Sequence, residues 1–130
     1  MIVVHLPFPD SRLNPNRCKG KHWASTVSLR KAAREAATLL TRQASRGVTF
    51  PMGHEVSLKV IFVQPDKRLR DRDNLMASFK NAIDGVADAL GINDVQFNPV
   101  TVCREYGPKP GSVRIEIGGK PEVQHEEGRS

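Results

Sequence analysis

A chain of 130 residues with 38% hydrophobic and 26% charged positions is long enough to bury a core of its own and ordinary in make-up for one soluble domain. Its apolar runs fall well short of the roughly 20 residues a membrane helix needs. The opening MIVVHLPFPD lacks the charged start of a secretory signal, so a cytoplasmic protein is expected. The formal charge of +6 is lopsided: residues 1–47 carry nine Lys/Arg against two acids, residues 48–95 six against seven, and residues 96–130 five against five. A cationic third beside an acidic middle points to a polyanion partner.

Residues Ile2 to Leu6 are β-branched and apolar, the mark of a first strand, and Pro7 and Pro9 end it. The segment DSRLNPNRCKGKHWA, 10–24, is a loop of turn formers and cations. In it Asn14, Asn16, Arg17, Lys19 and Lys21 are candidate nucleic-acid contacts. Trp23 reads first as a core anchor for the helix that follows, with stacking on a base as the alternative. Cys18 and His22 lack the second half of a zinc site. Cys18 and Cys103, far apart and outside any CxxC, are expected as free thiols.

Residues 26–45 are alanine-rich, and Leu29, Ala33, Ala36 and Leu40 form an apolar face at helical spacing. Arg30, Lys31, Arg34, Arg42 and Arg46 sit off that face. After the turn at Pro51 and Gly53, Val56, Leu58, Val60 and Phe62 alternate as one face of a second strand, ended by Pro65. Leu75, Phe79, Ala82, Ile83, Val86 and Leu90 then recur as the stripe of a second helix. Asp73 is the expected N-cap and Gly91 the expected stop. Residues 95–105, bent at Pro99, and Ser112 to Ile117 read as third and fourth strands. The predicted architecture is α+β: a single domain over 1–118, a β-α-β-α-β-β mixed sheet with two helices, and a polar, flexible tail over 119–130.

The stretch RLRDRDNLMASFKNAIDGVADALGINDVQF, Arg68 to Phe97, carries the chemistry. Asp71 and Asp73 stand two apart in an extended approach to a helix, so both carboxylates can point the same way. At about 4 Å and an effective dielectric of 20, two such charges repel by about 4 kcal/mol. A proton, an arginine or a divalent cation offsets that. Mg²⁺ suits a few carboxylates completed by water and a substrate phosphate, where it polarises the phosphoryl oxygen and supplies a nucleophile from bound water. Along the helix, Asp73, Ala77, Lys80 and Asp84 share a face distinct from the apolar stripe, which aims Lys80 along the same side. The plainer alternative is an N-cap at Asp73, salt bridges from Asp71 to Arg70 or Arg72, and an i,i+4 pair of Lys80 with Asp84.

RxDxDN opening a helix, a lysine on that helix, an Asp four residues later, and a glycine and an acid before a strand resemble the RusA family of Holliday junction resolvases. The short strand ending in prolines and the basic, Asn-containing loop after it look similar too. The resemblance implies a homodimeric, Mg²⁺-dependent endonuclease that nicks two symmetric strands of a four-way DNA junction, with no small-molecule cofactor. It implies carboxylate ligands at Asp71, Asp73 and Asp94, with Lys80 as the catalytic lysine. DNA contacts would come from Arg70, Arg72, Asn14, Asn16, Arg17, Lys19 and Lys21. In the family the lysine usually stands three residues after the Asn, which here is Ala77, and the usual paired acids read Asn93-Asp94. A non-catalytic nucleic-acid binder and a nuclease of other branched DNA are the competing readings. Acids facing phosphate favour catalysis.

A continuous helix from Asn74 to Leu90 would span roughly 25 Å, while Asp94 reaches back only about 10 Å from its end. Asp73 and Asp94 of one chain would then not meet at one metal. Two chains paired antiparallel about a twofold axis would bring the start of one helix to the end of the other. A helix broken near Gly85 is the alternative.

Overall fold

The structure, a computed structural model, describes residues 1–14 and 26–119. Asn16, Arg17, Cys18, Lys19, Lys21, His22, Trp23 and the tail beyond Gly119 lie outside the described residues. Four strands form one mixed sheet: β1 (Ile2–Pro7), β2 (Val56–Gln64), β3 (Phe97–Tyr106) and β4 (Ser112–Gly118), in the spatial order β1-β4-β2-β3. Strand β4 runs antiparallel to both β1 and β2, and β3 runs parallel to β2. Three helices complete the α+β fold: α1 (Val27–Ser45), α2 (Arg72–Ser78) and α3 (Lys80–Leu90). None of the described helices is long and apolar enough to cross a membrane.

Period-two alternation sets the core. Val4 and Leu6 of β1, Val56, Leu58, Val60 and Phe62 of β2, and Val113, Ile115 and Ile117 of β4 are all buried in one cluster. Leu75, Phe79, Ala82, Ile83, Val86 and Leu90 meet them from the helices. Each Val, Leu, Ile or Phe among them stabilises the fold by about 1.5–3 kcal/mol on full burial. The Phe79 ring stands edge-on to Phe62 at 5.5 Å between centroids, within the range aromatic pairs favour.

The expected second helix is in fact two, so the described residues form three α-helices rather than two. The interruption is at Phe79, with φ −99 and ψ 2, not near Gly85. Its cause is local. The Ser78 hydroxyl donates to the Asn74 carbonyl at 2.9 Å, a back-bond that bends helices. The Phe79 N–H is then shared between the Leu75 and Met76 carbonyls, each at 3.1 Å. The apolar stripe continues in phase across the break, which is why periodicity alone reads one helix.

Helix α1 is rotated from its expected face. Its buried positions are Ala37, Thr41 and Ser45, while Leu29, Ala33, Ala36 and Leu40 are only half-buried at the flank. Small side chains face inward because α1 crosses α3 closely. A Cβ on Gly85 would run into the Arg34 carbonyl oxygen and lie 3.0 Å from the Ala37 Cβ. The Thr38 hydroxyl lies 2.9 Å from the Arg34 carbonyl and 3.1 Å from that of Gly85. Outside this contact Arg34 pairs with Asp88 at 2.7 Å.

Since β1 and β2 both oppose β4, and β3 follows β2, three strands point the same way. Their carboxyl ends reach one edge of the sheet. The segments that leave there are Phe8–Asn14 after β1, Pro65–Asp71 after β2 and the turn from Gly107 after β3. Open sheets of parallel strands place ligand sites at this edge.

Candidate active site

Buried Gln64, the last residue of β2, anchors the edge. Its side-chain amide donates to the Arg68 carbonyl at 3.1 Å, and its own carbonyl accepts from the Gly107 N–H at 2.9 Å. The loop between β2 and α2 is tightened further by Asp66. One of its oxygens takes the Arg68 N–H at 3.0 Å. Both oxygens take the fork of Arg70, at 2.9 and 3.3 Å. The Arg70 guanidinium lies over the Phe8 ring, 5.4 Å from its centroid. Held by Arg70 and the Arg68 amide, the Asp66 carboxyl sits below the usual carboxylate range. Arg70 thus pairs with Asp66, not with Asp71 as the plainer sequence alternative had it.

Asp71 takes the cap position expected of Asp73. Its Oδ1 accepts the Asp73 N–H at 2.9 Å at the start of α2. Extended φ and ψ of −72 and 129 suit an N-cap. The second oxygen, Oδ2, has no hydrogen bond among the described residues, and the side chain is exposed. Asp73, the second residue of α2, is exposed, with Ala77 and Lys80 exposed beyond it.

Two concavities flank Asp71. The first, of about 500 Å³, is lined by Phe8 and Asn14 from the β1 segment, Arg68, Leu69 and Arg70 from the loop, and Asn74 and Ser78 from α2. It brings the expected Asn14, Arg70 and Asp71 together. The second, of about 430 Å³, is lined by Leu69, Arg70, Asp71, Arg72 and Arg104. Arg104 donates to the Arg70 carbonyl at 2.7 Å.

Asp94 and Lys80 meet elsewhere, beside α3. Gly91 ends α3 at φ 72, a conformation glycine adopts without steric cost. Ile92 then bonds back to the Ala87 carbonyl at 3.1 Å, which turns the chain along the helix. Asn93 caps the next short turn: its Oδ1 takes the Val95 N–H, and Gln96 Oε1 takes the Asn93 N–H. Gln96 in turn donates to the carbonyls of Pro51 and His54. The position read as the first of a paired acid therefore has a structural task. Asp94, fixed by this turn, lies 3.1 Å from Lys80 Nζ, and Asp84 lies 3.0 Å from the same atom. Hydrogen bonds to Asp84 and then to Asp94 raise the Lys80 pKa above its usual value.

The turn after Gly91 brings Asp94 to the side-chain end of Lys80 but not to Asp73. Lys80 follows Asp73 by about 10 Å of helix, and Asp94 reaches Lys80 within its own chain. Even so, among the described residues no three His, Cys, Asp or Glu side chains lie close enough to hold one metal ion. The structure therefore gives Asp71 and Asp73 at the start of α2, and Asp94 apart from them, paired with Lys80.

No family model matches the chain. Over 120 residues it is 36% identical to an "Uncharacterized protein" of Xylella fastidiosa (strain Temecula1 / ATCC 700964), covering 92% of this chain and 77% of that one. The chain belongs to that protein's family. A 120-residue stretch of a 130-residue chain includes residues 11–120 wherever it starts, so both concavities' α2 and loop residues fall within the shared region.

Arg104 is the site residue that sequence reasoning missed. It sits in an edge strand, 34 residues from Arg70, and only the parallel pairing of β2 and β3 brings it there. Alternation along β3 gives no sign of it, since nearly all of that strand is exposed or half-buried. Phe8 was legible only as the residue after a strand. Asp66 lay in the charged connection, two residues before Arg68, where an Asx turn is a recognisable signal.

Proposed function

We propose that the chain is a Mg²⁺-dependent endonuclease of branched DNA that acts as a homodimer on four-way junctions, as the resemblance to RusA resolvases implies, in the cytoplasm where DNA is available. The observation that carries this reading is Asp71. Its cap bond uses one oxygen and leaves the other open at an edge surrounded by Arg68, Arg70, Arg72 and Arg104. One open carboxylate oxygen beside guanidiniums that can hold a phosphate offers more than an ion pair. It suits a cation between carboxylate and phosphate.

The donor set fits Mg²⁺, which takes one or two carboxylates and completes its shell with water and phosphate oxygens. Asp71 and Asp73 would hold it. Bound there, the ion supplies Lewis-acid polarisation of a phosphoryl oxygen and a more acidic water. The protein does the rest. Arg70, locked by Asp66 and Phe8, presents a fixed edge to the DNA backbone. Asn14 and Asn74 line the wall across which a strand would lie. Lys80 Nζ carries a positive charge to the outer side of the helices, and holds Asp94 in place.

One observation favours a second reading, a non-catalytic nucleic-acid binder: Asp94 is paired with Lys80 rather than gathered with Asp71 and Asp73. A labelled synthetic four-way junction separates the two. With Mg²⁺ the protein is expected to introduce symmetric nicks, and Asp73→Asn to abolish nicking while keeping junction binding. Binding without nicking by the parent protein at any Mg²⁺ concentration would leave only the binder.

A further inference from the structure

The concavity on the β3 side of Asp71 holds three guanidiniums around one carboxylate. Arg70 is compensated by Asp66 at 2.9 Å. Arg72, the first residue of α2, is exposed and has no hydrogen bond or ion pair among the described residues. Arg104 is exposed and uses one N–H on the Arg70 carbonyl, which leaves the remaining donors of its fork open. Cations gathered at one hollow repel each other unless an anion sits among them. Among the described residues neither Arg72 nor Arg104 forms a salt bridge, and Asp71, with Oδ1 taken by the helix cap, is the carboxylate that lines the hollow with them. Leu69, 82% exposed, supplies an apolar rim.

The geometry points to a phosphodiester subsite in this hollow, with Arg104 and Arg72 as its two open guanidiniums. Its ligand is a phosphate of the DNA strand next to the one held at Asp71, on the side away from Phe8. Arg104 suits the task because its carbonyl bond pre-orients the fork, and a planar fork matches two phosphate oxygens. Among the described residues that line it the hollow has no aromatic wall and no neutral amide donor, so these residues offer charge without base readout. The subsite rests on the reading that the chain binds DNA, and it adds a strand contact that neither the acidic cluster nor the N-terminal loop supplies.

The alternative role for Arg104 is a tether that ties β3 to the loop before α2. Salt dependence tells the two apart. Each phosphate neutralised steepens the fall of log Kobs with log salt by about 0.9. A tether changes affinity or stability without changing that slope by a full charge. The measurement is binding of a labelled four-way junction in EDTA, titrated across a fourfold range of NaCl, with thermal melts alongside. The parent is expected to show a steep slope. Arg104→Gln is expected to lower it by about 0.9, which narrows the affinity loss across that range by about 3.5-fold. Arg104→Lys is expected to keep the slope and lose part of the affinity. Arg72→Gln removes no structural contact and is expected to lower the slope by the same step. It serves as the reading if Arg104→Gln fails to fold. Parent slopes in Arg104→Gln, or in Arg72→Gln where the former does not fold, overturn the subsite even if binding weakens. A parent protein with no salt-dependent binding overturns the DNA reading itself.

Discussion

Asp71 caps α2 and, on the proposed reading, also ligates a cation, and chemistry can separate the two. As an N-cap it needs only an oxygen acceptor, and Asn serves that as well as Asp. As a ligand to a hard cation it needs negative charge. Asp71→Asn is therefore expected to change unfolding free energy by less than about 0.5 kcal/mol and to reduce Mg²⁺-dependent nicking about 100-fold or more. Asp71→Ala loses the cap as well, at about 1 kcal/mol. Urea melts of both variants, set beside junction nicking, check this. Equal destabilisation by Asn and Ala would mean that the charge itself, not the cap, holds the start of α2. The sequence marked both Asp71 and Asp73 as ligands and Asp73 also as the cap. The cap's move to Asp71 follows from a two-residue shift of the helix start, which propensity does not fix.

Between elements, the α1–α3 crossing is the tightest contact and the least visible in the sequence. The apolar stripe of α1 marks Leu29, Ala33, Ala36 and Leu40, yet the buried line runs through Ala37, Thr41 and Ser45. Hydrophobicity identifies a face that faces something apolar. It is blind to a face that must be small. Gly85 was the signal, since a glycine in a helix interior has a packing reason where it persists. Gly85→Ala gains about 0.5–1 kcal/mol of helix preference but drives a methyl into the Arg34 carbonyl. A net loss of about 1–3 kcal/mol in a denaturant melt is expected, and a more stable variant would show that α1 slides freely.

The same crossing carries a pH dependence. The hydrogen bond from Arg34, ahead of its charge, holds the Asp88 carboxyl below its usual value of 3.8. A lowered folded-state pKa means that the stabilisation is complete above the unfolded value and disappears as pH falls through the folded one. Both partners are about half exposed, at 50% and 41%, so the pair contributes at most about 1 kcal/mol. The stability gap between parent and Asp88→Asn is expected to be small and constant near neutral pH and to close below about pH 3.8. A gap that persists in acid would assign it to packing rather than to the ion pair. The break at Phe79 belongs to this scale as well. Its sequence cue is Ser78 in mid-helix, which the apolar period passes over because the stripe resumes in phase.

At the scale of the whole molecule, the site is a product of topology. Strand identities and the alternating core were legible from residues 2–6, 56–62 and 112–117, because period two reports burial directly. Strand order was not, since pairing partners leave no mark in a single sequence. That order is what joins Phe8 and Asn14, Arg68 to Asp71, and Arg104 at one edge. It leaves the third acid apart. The chain turns back at Gly91 and pairs Asp94 with the end of the Lys80 side chain, without bringing it to Asp73. Asp94 is engaged by Lys80, and no three carboxylates converge among the described residues. We therefore expect each complete site to form between two chains, with Asp71 and Asp73 from one and Asp94 from the other, giving two sites for two opposed strands of a junction. Mixing Asp73→Asn with Asp94→Asn tests this. In the heterodimer one site carries both lesions and the other carries none, so a mixture of two inactive proteins is expected to regain nicking of one strand. If each site belongs to one chain, every site in the mixture keeps a lesion. Absence of recovery, once subunit exchange is verified by tagged pull-down, would return Asp94 to its own chain's site and make Lys80 the group that must release it.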